Sequence, residues 1–239
     1  MTFETFYSSS SGNFYTVTAA NGRRLLIECG VTWKKLQKAL KYDLTAIDGC
    51  LVTHEHKDHS QGVENILKAG IDVYASEGTF LGIEESLHLH RRTHTIRDGE
   101  RFAISETFEV FPFAVHHDAK EPLGFIVHEN AGDENLFFVT DTSHITQRFG
   151  IAFDIIAISA SYDKDVLAGR VERQEINETL AERLLVSHTE WRVAKRYVKE
   201  FCNLSQCREI HLLHCSSDNM DKKMVRKDIE ESLFIKTFL

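Results

Sequence analysis

Proline is nearly missing from this 239-residue chain; the only two, Pro112 and Pro122, stand close together. That excludes a proline-rich linker or tail. Paired cysteines are lacking too. Cys29, Cys50, Cys202, Cys207 and Cys215 make an odd count with no CxxC spacing. A chain of this length needs no disulfide staples, so the expectation is reduced thiols in a cytoplasmic protein. Long apolar runs are absent. The longest, from 151 to 160, is broken by Asp154 and falls far short of the ~20 residues a bilayer requires, so no membrane partner is expected. The opening MTFETFYSSSSGN has neither a basic start nor an apolar core, and a secretory signal is not expected. Positive charge is in deficit: 28 Lys and Arg against 36 Asp and Glu give a formal net charge of −8. Such a balance argues against coating duplex DNA through general charge. It is compatible with a local basic track beside an acidic site filled by metal.

What is plentiful is histidine, 13 residues, within an ordinary globular composition of 42% hydrophobic and 27% charged residues. That is enough apolar material for one sizeable core, and no composition shift marks a boundary, so a single domain over 1–239 is expected. Strands are expected over 3–7, 13–19, 23–29 and 47–53, with turns at Ser-Gly-Asn and Asn-Gly. Helices are expected over 33–40, where Trp33, Leu36 and Leu40 share a face, and over 58–68, where Val63, Ile66 and Leu67 do. Further strands are expected over 101–104, 107–115, 124–128, 135–140, 154–159 and 209–214. Helical patterns cover 172–200, interrupted at Ser187-His188, and 220–234. Strands with helices interspersed at both ends fit sheet packed on sheet beneath helices, an α+β arrangement.

The decisive segment is Thr53-His54-Glu55-His56-Lys57-Asp58-His59. His54, His56, Asp58 and His59 place four potential ligands in six positions, between a buried strand and a helix start. Residues two apart in an extended segment point the same way, and zinc and similar ions take His nitrogen and Asp oxygen. A His-rich surface loop is the bland alternative, but apolar strands seldom end in four ligands by accident.

This HxHxDH pattern resembles the signature of the metallo-β-lactamase fold family, in which a His, an Asp and a late His follow, each at the end of a strand. They are present as the His of Val115-His116-His117-Asp118, as Asp141 and as His214. The resemblance implies a four-layer αββα sandwich and a dinuclear centre of zinc or manganese. His54, His56 and His117 would hold the first ion, Asp58, His59 and His214 the second, with Asp141 bridging. His116 competes with His117. His117 is preferred because His117-Asp118-Ala119-Lys120-Glu121-Pro122-Leu123-Gly124-Phe125 resembles the HDA…EP(L/V)G(F/Y) stretch of one branch, the YycJ/WalJ-like metallo-hydrolases. Ser9-Ser10-Ser11-Gly12-Asn13, Leu25 to Gly30, Ser159 to Asp163, Ser187-His188-Thr189 and Cys215 to Asn219 extend the likeness over nearly the whole chain. Glu28, where that branch has Asp, Tyr162, where it has His, and Ser187 and Glu190 beside His188 are departures that bear on substrate choice.

Two metal ions about 3.5–4 Å apart share a hydroxide and lower its pKa toward neutrality, which makes it a nucleophile for phosphorus or carbonyl centres. The resemblance implies a nuclease, exonuclease-like, on single-stranded DNA or RNA or on strand ends. The rival is a hydrolase of a small anionic ester, lactone, thioester or cyclic phosphodiester, and a regulatory metal-binding module ranks last. The stretch between Asp141 and His214 is filled by a strand and two or three helices, which leaves no room for an inserted nucleic-acid-binding domain. Asp58 and His188 are the candidates for catalytic roles, His188 as an acid or phosphate contact. A surface histidine at a helix end is the equal alternative for His188. Ser10 and Asn13 are candidates to contact substrate phosphate, against a plain hairpin turn. Arg192 begins a charged helix face with Lys195, Arg196 and Lys199, either a nucleic-acid track or simply solvated. His88, His90 and His94 with Arg91, Arg92 and Arg97 form a second basic cluster, read as a solvated loop before a phosphate contact or a third metal site. His144 follows the bridging Asp and is a candidate to support the ligands, and His128 and His211 are read as structural. The sequence does not define an oligomeric state.

Overall fold

The structure is a computed structural model that describes residues 1–239. It divides into two compact units, Met1–Ala114 with Ala119–Glu134, and Val115–Asp118 with Asn135–Leu239. No helix is long and apolar enough to cross a membrane.

The first unit carries strands β1 (Thr2–Ser9), β2 (Gly12–Thr18), β3 (Arg24–Ile27), β4 (Ile47–Leu51), β5 (Val73–Ala75) and β6 (Thr93–Thr95), which form one sheet in that order. β1, β2 and β3 run antiparallel, and β3 to β6 run parallel. Parallel neighbours need crossovers, supplied here by α1 (Trp33–Ala39), the short α2 (Lys57–Ser60), α3 (Val63–Lys68) and α4 (Glu77–Ile83). Their apolar residues Leu36, Val63, Ile66, Leu67 and Phe80 join Phe14, Leu26, Cys50, Val52 and Val73 in one buried cluster on one sheet face. Tyr15, Val17, Leu25, Ile27 and Leu51, at the alternate positions, are also fully buried, so both faces of this sheet are covered. β7 (Phe102–Ile104), β8 (Phe108–Ala114) and β9 (Leu123–Glu129) add an antiparallel ribbon.

The second unit is built on β10 (Glu134–Val139), β11 (Ile155–Ser159), β12 (Glu209–Leu213) and β13 (Lys236–Phe238), all parallel. α5 (Lys164–Glu172), α6 (Glu178–Ser187), α7 (Trp191–Phe201) and α8 (Lys222–Leu233) complete it. Side-chain caps start each of these helices: Asp163, Asn177, Glu190 and Asp221 accept from the first free amides of α5, α6, α7 and α8.

Two expected helices come out differently. The run 58–68 is broken into α2 and α3 because the Gly62 amide donates to the Cys29 carbonyl at 2.9 Å. α5 precedes the expected start at 172; its sequence buries only Leu167, so it carries no apolar stripe to read. The expected interruption at Ser187-His188 is present, with His188 extended (φ −129°, ψ 158°) at the end of α6.

Candidate metal centre

In the first unit, the end of β3 and the end of β4 lie side by side, the Glu28 amide donating to the Leu51 carbonyl at 2.8 Å. Glu28 turns the chain through the left-handed region (φ 64°), a conformation that non-glycine residues seldom adopt. Gly30 then passes under the loop 53–59. A Cβ built there would stand 1.6 Å from the Asp58 carbonyl oxygen, so no other residue fits.

The loop 53–59 leaves β4 and presents its candidate donor side chains in sequence. His54 Nδ1 lies 2.9 Å from the Thr53 hydroxyl, and its Nε2 lies 3.1 Å from His56 Nδ1. His59 is wholly enclosed, with Nδ1 3.2 Å from Glu28 Oε1 and Nε2 3.3 Å from Asp58 Oδ2. Glu28 also accepts from the Thr53 hydroxyl. Burial pushes the Glu28 carboxyl up, against the pull of His59 and Thr53. A carboxylate on the far nitrogen of an imidazole fixes ring and tautomer, as in carboxylate–histidine–metal arrangements. Asn13, expected to meet phosphate, is fully buried; its amide donates to the Ser9 and Asp58 carbonyls, both at 3.1 Å, and lies 3.1 Å from His59 Nε2. Ser10 is exposed at the tip of the β1–β2 turn.

Glu55, between the two histidines, accepts the Lys120 amide at 2.9 Å. The second basic cluster is tied to Asp72, which receives Arg92 at 2.7 Å and His94 at 3.0 Å, while His94 stacks on Tyr74.

In the second unit, donors gather around Asp141 at the end of β10. Its Oδ1 is 3.7 Å from His214 Nε2, and its Oδ2 is 3.9 Å from His188 Nε2 and 4.0 Å from His117 Nε2. His214 follows β12 in the left-handed region (φ 54°). His117 Nδ1 donates to the Ser187 carbonyl at 3.0 Å, which leaves its Nε2 as the lone-pair nitrogen facing Asp141. His116 points elsewhere, exposed and stacked face to face on His144.

His188 is enclosed by the same group, its ring centre 5.8 Å from that of His117 and 5.3 Å from that of His214. Its Nδ1 is 2.8 Å from the Ser187 hydroxyl, which donates to the Arg183 carbonyl at 2.6 Å. The Nδ1 therefore carries the proton in the neutral ring. Burial holds the imidazole down at about 4, with Asp141 opposing and His214 and His117 adding to the depression. The turn bearing His188 is stitched in place: the Thr189 hydroxyl donates to the Thr142 carbonyl, and Ser161 donates to the Thr189 carbonyl at 2.8 Å. Arg192, expected to meet substrate, is paired with Glu190 at 2.9 Å and with Asp163 and Asp165 at 3.2 Å. A substrate contact would require it to leave these partners. Lys195 pairs with Asp228, so two of the four cations on this helix already have partners.

The donor chemistry fits divalent ions. Imidazole nitrogens and carboxylate oxygens 3.1–4.0 Å apart within each unit match ligands that each stand about 2.0–2.2 Å from one ion. Sequence reasoning missed Thr53 and Ser187 as ring-orienting partners and took Glu28 only as a departure from a pattern.

Comparison with known proteins gives concordant matches. A family model described as a beta-lactamase superfamily domain matches residues 23–174. The exodeoxyribonuclease YycJ of Bacillus anthracis is 27% identical, across 99% of this chain and 90% of its own length. The exodeoxyribonuclease WalJ of Streptococcus pneumoniae serotype 2 is 26% identical, across 95% and 86%. Among solved structures, the metallo-beta-lactamase fold protein YhfI of Bacillus subtilis superposes with a TM-score of 0.71 at 15% identity, across 99% and 95% of the two chains.

Proposed function

Since the chain belongs to the beta-lactamase superfamily, in its YycJ/WalJ-like branch, we propose that it is an exonuclease that shortens DNA by hydrolysing phosphodiester bonds with two divalent metal ions. The fold is the expected α+β metallo-β-lactamase fold, and the chain is a metal-dependent hydrolase of the nuclease or phosphodiesterase type. The proposal keeps one domain over 1–239, supported by a relative that aligns with 99% of the chain. Five free thiols support a reducing, cytoplasmic setting.

The observation that carries the reading is Asp141, whose two oxygens face the Nε2 atoms of three enclosed histidines. By the family resemblance His54, His56 and His117 would hold one ion, Asp58, His59 and His214 the other, and Asp141 would serve both. Zinc and manganese both suit this set. When bound, the ions supply a nucleophile from water near neutral pH and offset charge on the phosphate oxygens.

The chain's own residues do the rest. Glu28, Thr53 and the Ser187 carbonyl lock the rings of His59, His54 and His117, so the donors are oriented before an ion arrives. His188 contacts the phosphate: its Nε2 is aimed at the same space as Asp141 Oδ2, and a phosphate's negative charge favours the protonated ring that burial alone disfavours. A proton on His188 Nε2 can then pass to the departing oxygen. Ser10, exposed at its turn, is free to meet the strand, and Asn13 holds the Asp58–His59 backbone that the strand approaches.

The test is digestion of end-labelled single-stranded DNA by metal-stripped protein reloaded separately with zinc and with manganese. Progressive shortening from one end, dependent on one of these metals, is the expected result. Hydrolysis of a cyclic or small phosphodiester without any DNA product would replace this reading by the small-substrate one.

A further inference from the structure

Asp118 and Arg183 are used by none of the roles above. Asp118 follows His117 in the chain, and its Oδ1 stands 3.3 Å from His117 Nε2, nearer than the 4.0 Å of Asp141 Oδ2. Its other oxygen, Oδ2, receives Arg183 Nε at 3.1 Å and Nη2 at 2.9 Å. The His117 side chain is 2% exposed, whereas those of Asp118, at 43%, and Arg183, at 61%, reach the solvent.

These contacts close into a ring around His117. Arg183 and Ser187 lie one turn apart on α6. The Ser187 carbonyl accepts from His117 Nδ1 at 3.0 Å, and the Ser187 hydroxyl donates to the Arg183 carbonyl at 2.6 Å. One helix end thus holds the imidazole by its Nδ1 and, through the guanidinium, the carboxylate beside its Nε2. The arrangement leaves two acceptors face to face. With its proton on Nδ1, the neutral ring has a lone pair at Nε2, and an ionised carboxylate offers only lone pairs. Two such atoms 3.3 Å apart repel each other, and a cation between them turns that repulsion into attraction. Their spacing is that of neighbouring donors which each stand about 2.0–2.2 Å from one ion.

We propose that Asp118 belongs to the ion-binding set at His117. Its Oδ1 faces the ion that His117 Nε2 would hold and adds a negative charge there. Arg183 is the positioning residue that keeps the other oxygen turned away. The proposal rests on the reading of His117 as a metal ligand. Asp118 lies between β8 and β9, outside any helix or strand, so its backbone alone does little to aim the carboxylate. A guanidinium presents its donors in a rigid fork, and two of them on one oxygen hold the carboxylate in place before an ion arrives.

The experiment measures zinc affinity of the metal-stripped full chain by chelator competition, for wild type, Asp118→Asn, Arg183→Gln and the double variant. Exposed ion pairs contribute little to stability, so all four should keep the same circular dichroism spectrum. Asp118→Asn should weaken one zinc ion by about 10- to 100-fold, the range for a carboxylate that supports a ligated ion, and leave the other ion unchanged. Arg183→Gln should weaken the same ion. The double variant should be no weaker than Asp118→Asn alone, because the guanidinium acts through the carboxylate. Unchanged affinity in Asp118→Asn would overturn the proposal, reduce the pair to a surface ion pair and leave His117 as a ligand. Tighter zinc in Arg183→Gln would show that the guanidinium merely neutralises Asp118, and would overturn its positioning role. A wild type that takes up no zinc would remove the metal reading and this proposal with it.

Discussion

Glu28 Oε1 stands 3.2 Å from Nδ1 of His59, and both side chains are wholly enclosed. The contact joins residues 31 apart, and it depends on Glu28 turning left-handed just where β3 ends. It fixes which nitrogen of His59 faces outward. Replacing Glu28 by Ala should weaken divalent-ion affinity about 10- to 100-fold, the usual cost of removing a carboxylate behind a ligating imidazole. Chelator competition measures this. An unchanged affinity would mean that His59 is oriented by something else.

The two neighbouring histidines at 116 and 117 make opposite predictions. His117 Nε2 faces Asp141, while His116 stacks outward on His144. His117→Ala should lower the metal content by about one ion per chain, and His116→Ala should keep it at about two. Elemental analysis of the purified variants decides the matter. The reverse pattern would exchange the two assignments.

Gly30 gives a steric prediction. With a Cβ only 1.6 Å from the Asp58 carbonyl oxygen, Gly30→Ala must push the loop 53–59 away from the end of β3. The expected outcome is a loss of about 4 kcal/mol or more, in the range reserved for disrupted packing, with metal binding lost together with stability. Urea unfolding of the purified variant, or its failure to accumulate in soluble form, reports this. A variant as stable as wild type would show that the loop can shift freely.

Much of this was legible in the sequence, and the reason is local chemistry. His54, His56, Asp58 and His59 sit in one short segment, and His117, Asp141 and His214 each close an apolar run, so strand ends and donors could be read together. What was not legible depends on distant partners. Nothing near Ser187 signals that its carbonyl holds His117, and nothing near Glu28 signals His59. Strands β5, β6 and β13 are three residues each, too short for alternation to register. Asn13 looked like a phosphate contact because its turn is rich in hydroxyls and amides; its burial beneath Asp58 follows from the β1–β2 register, which only the folded sheet reveals.

Asp163 anchors the turn that carries His188. It caps α5 through the Asp165 amide at 2.8 Å, accepts the Trp191 indole N–H at 2.8 Å and pairs with Arg192. Burial opposes its ionisation, but the indole, the amides and the guanidinium together hold the carboxyl below its ordinary value. Asp163→Ala should therefore cost about 2–3 kcal/mol at pH 7, from a lost cap and lost hydrogen bonds to a charged group. A depressed carboxyl pKa stabilises the fold above the unfolded value of about 3.9 and loses that contribution as pH falls through the folded value. The gap between wild type and Asp163→Ala should be constant from pH 8 to pH 5 and shrink toward pH 3. Urea unfolding across that range checks it, and a gap that widens in acid would contradict the sign.

The central claim is that Asp141 organises a metal centre that cuts DNA. Its most direct test is Asp141→Ala, with metal content and cleavage of end-labelled single-stranded DNA measured on the same preparation as wild type. The account predicts two ions and stepwise shortening for wild type, against depleted metal and no shortening for a variant that remains folded by circular dichroism. Shortening at the wild-type rate by a metal-depleted Asp141→Ala protein would contradict it.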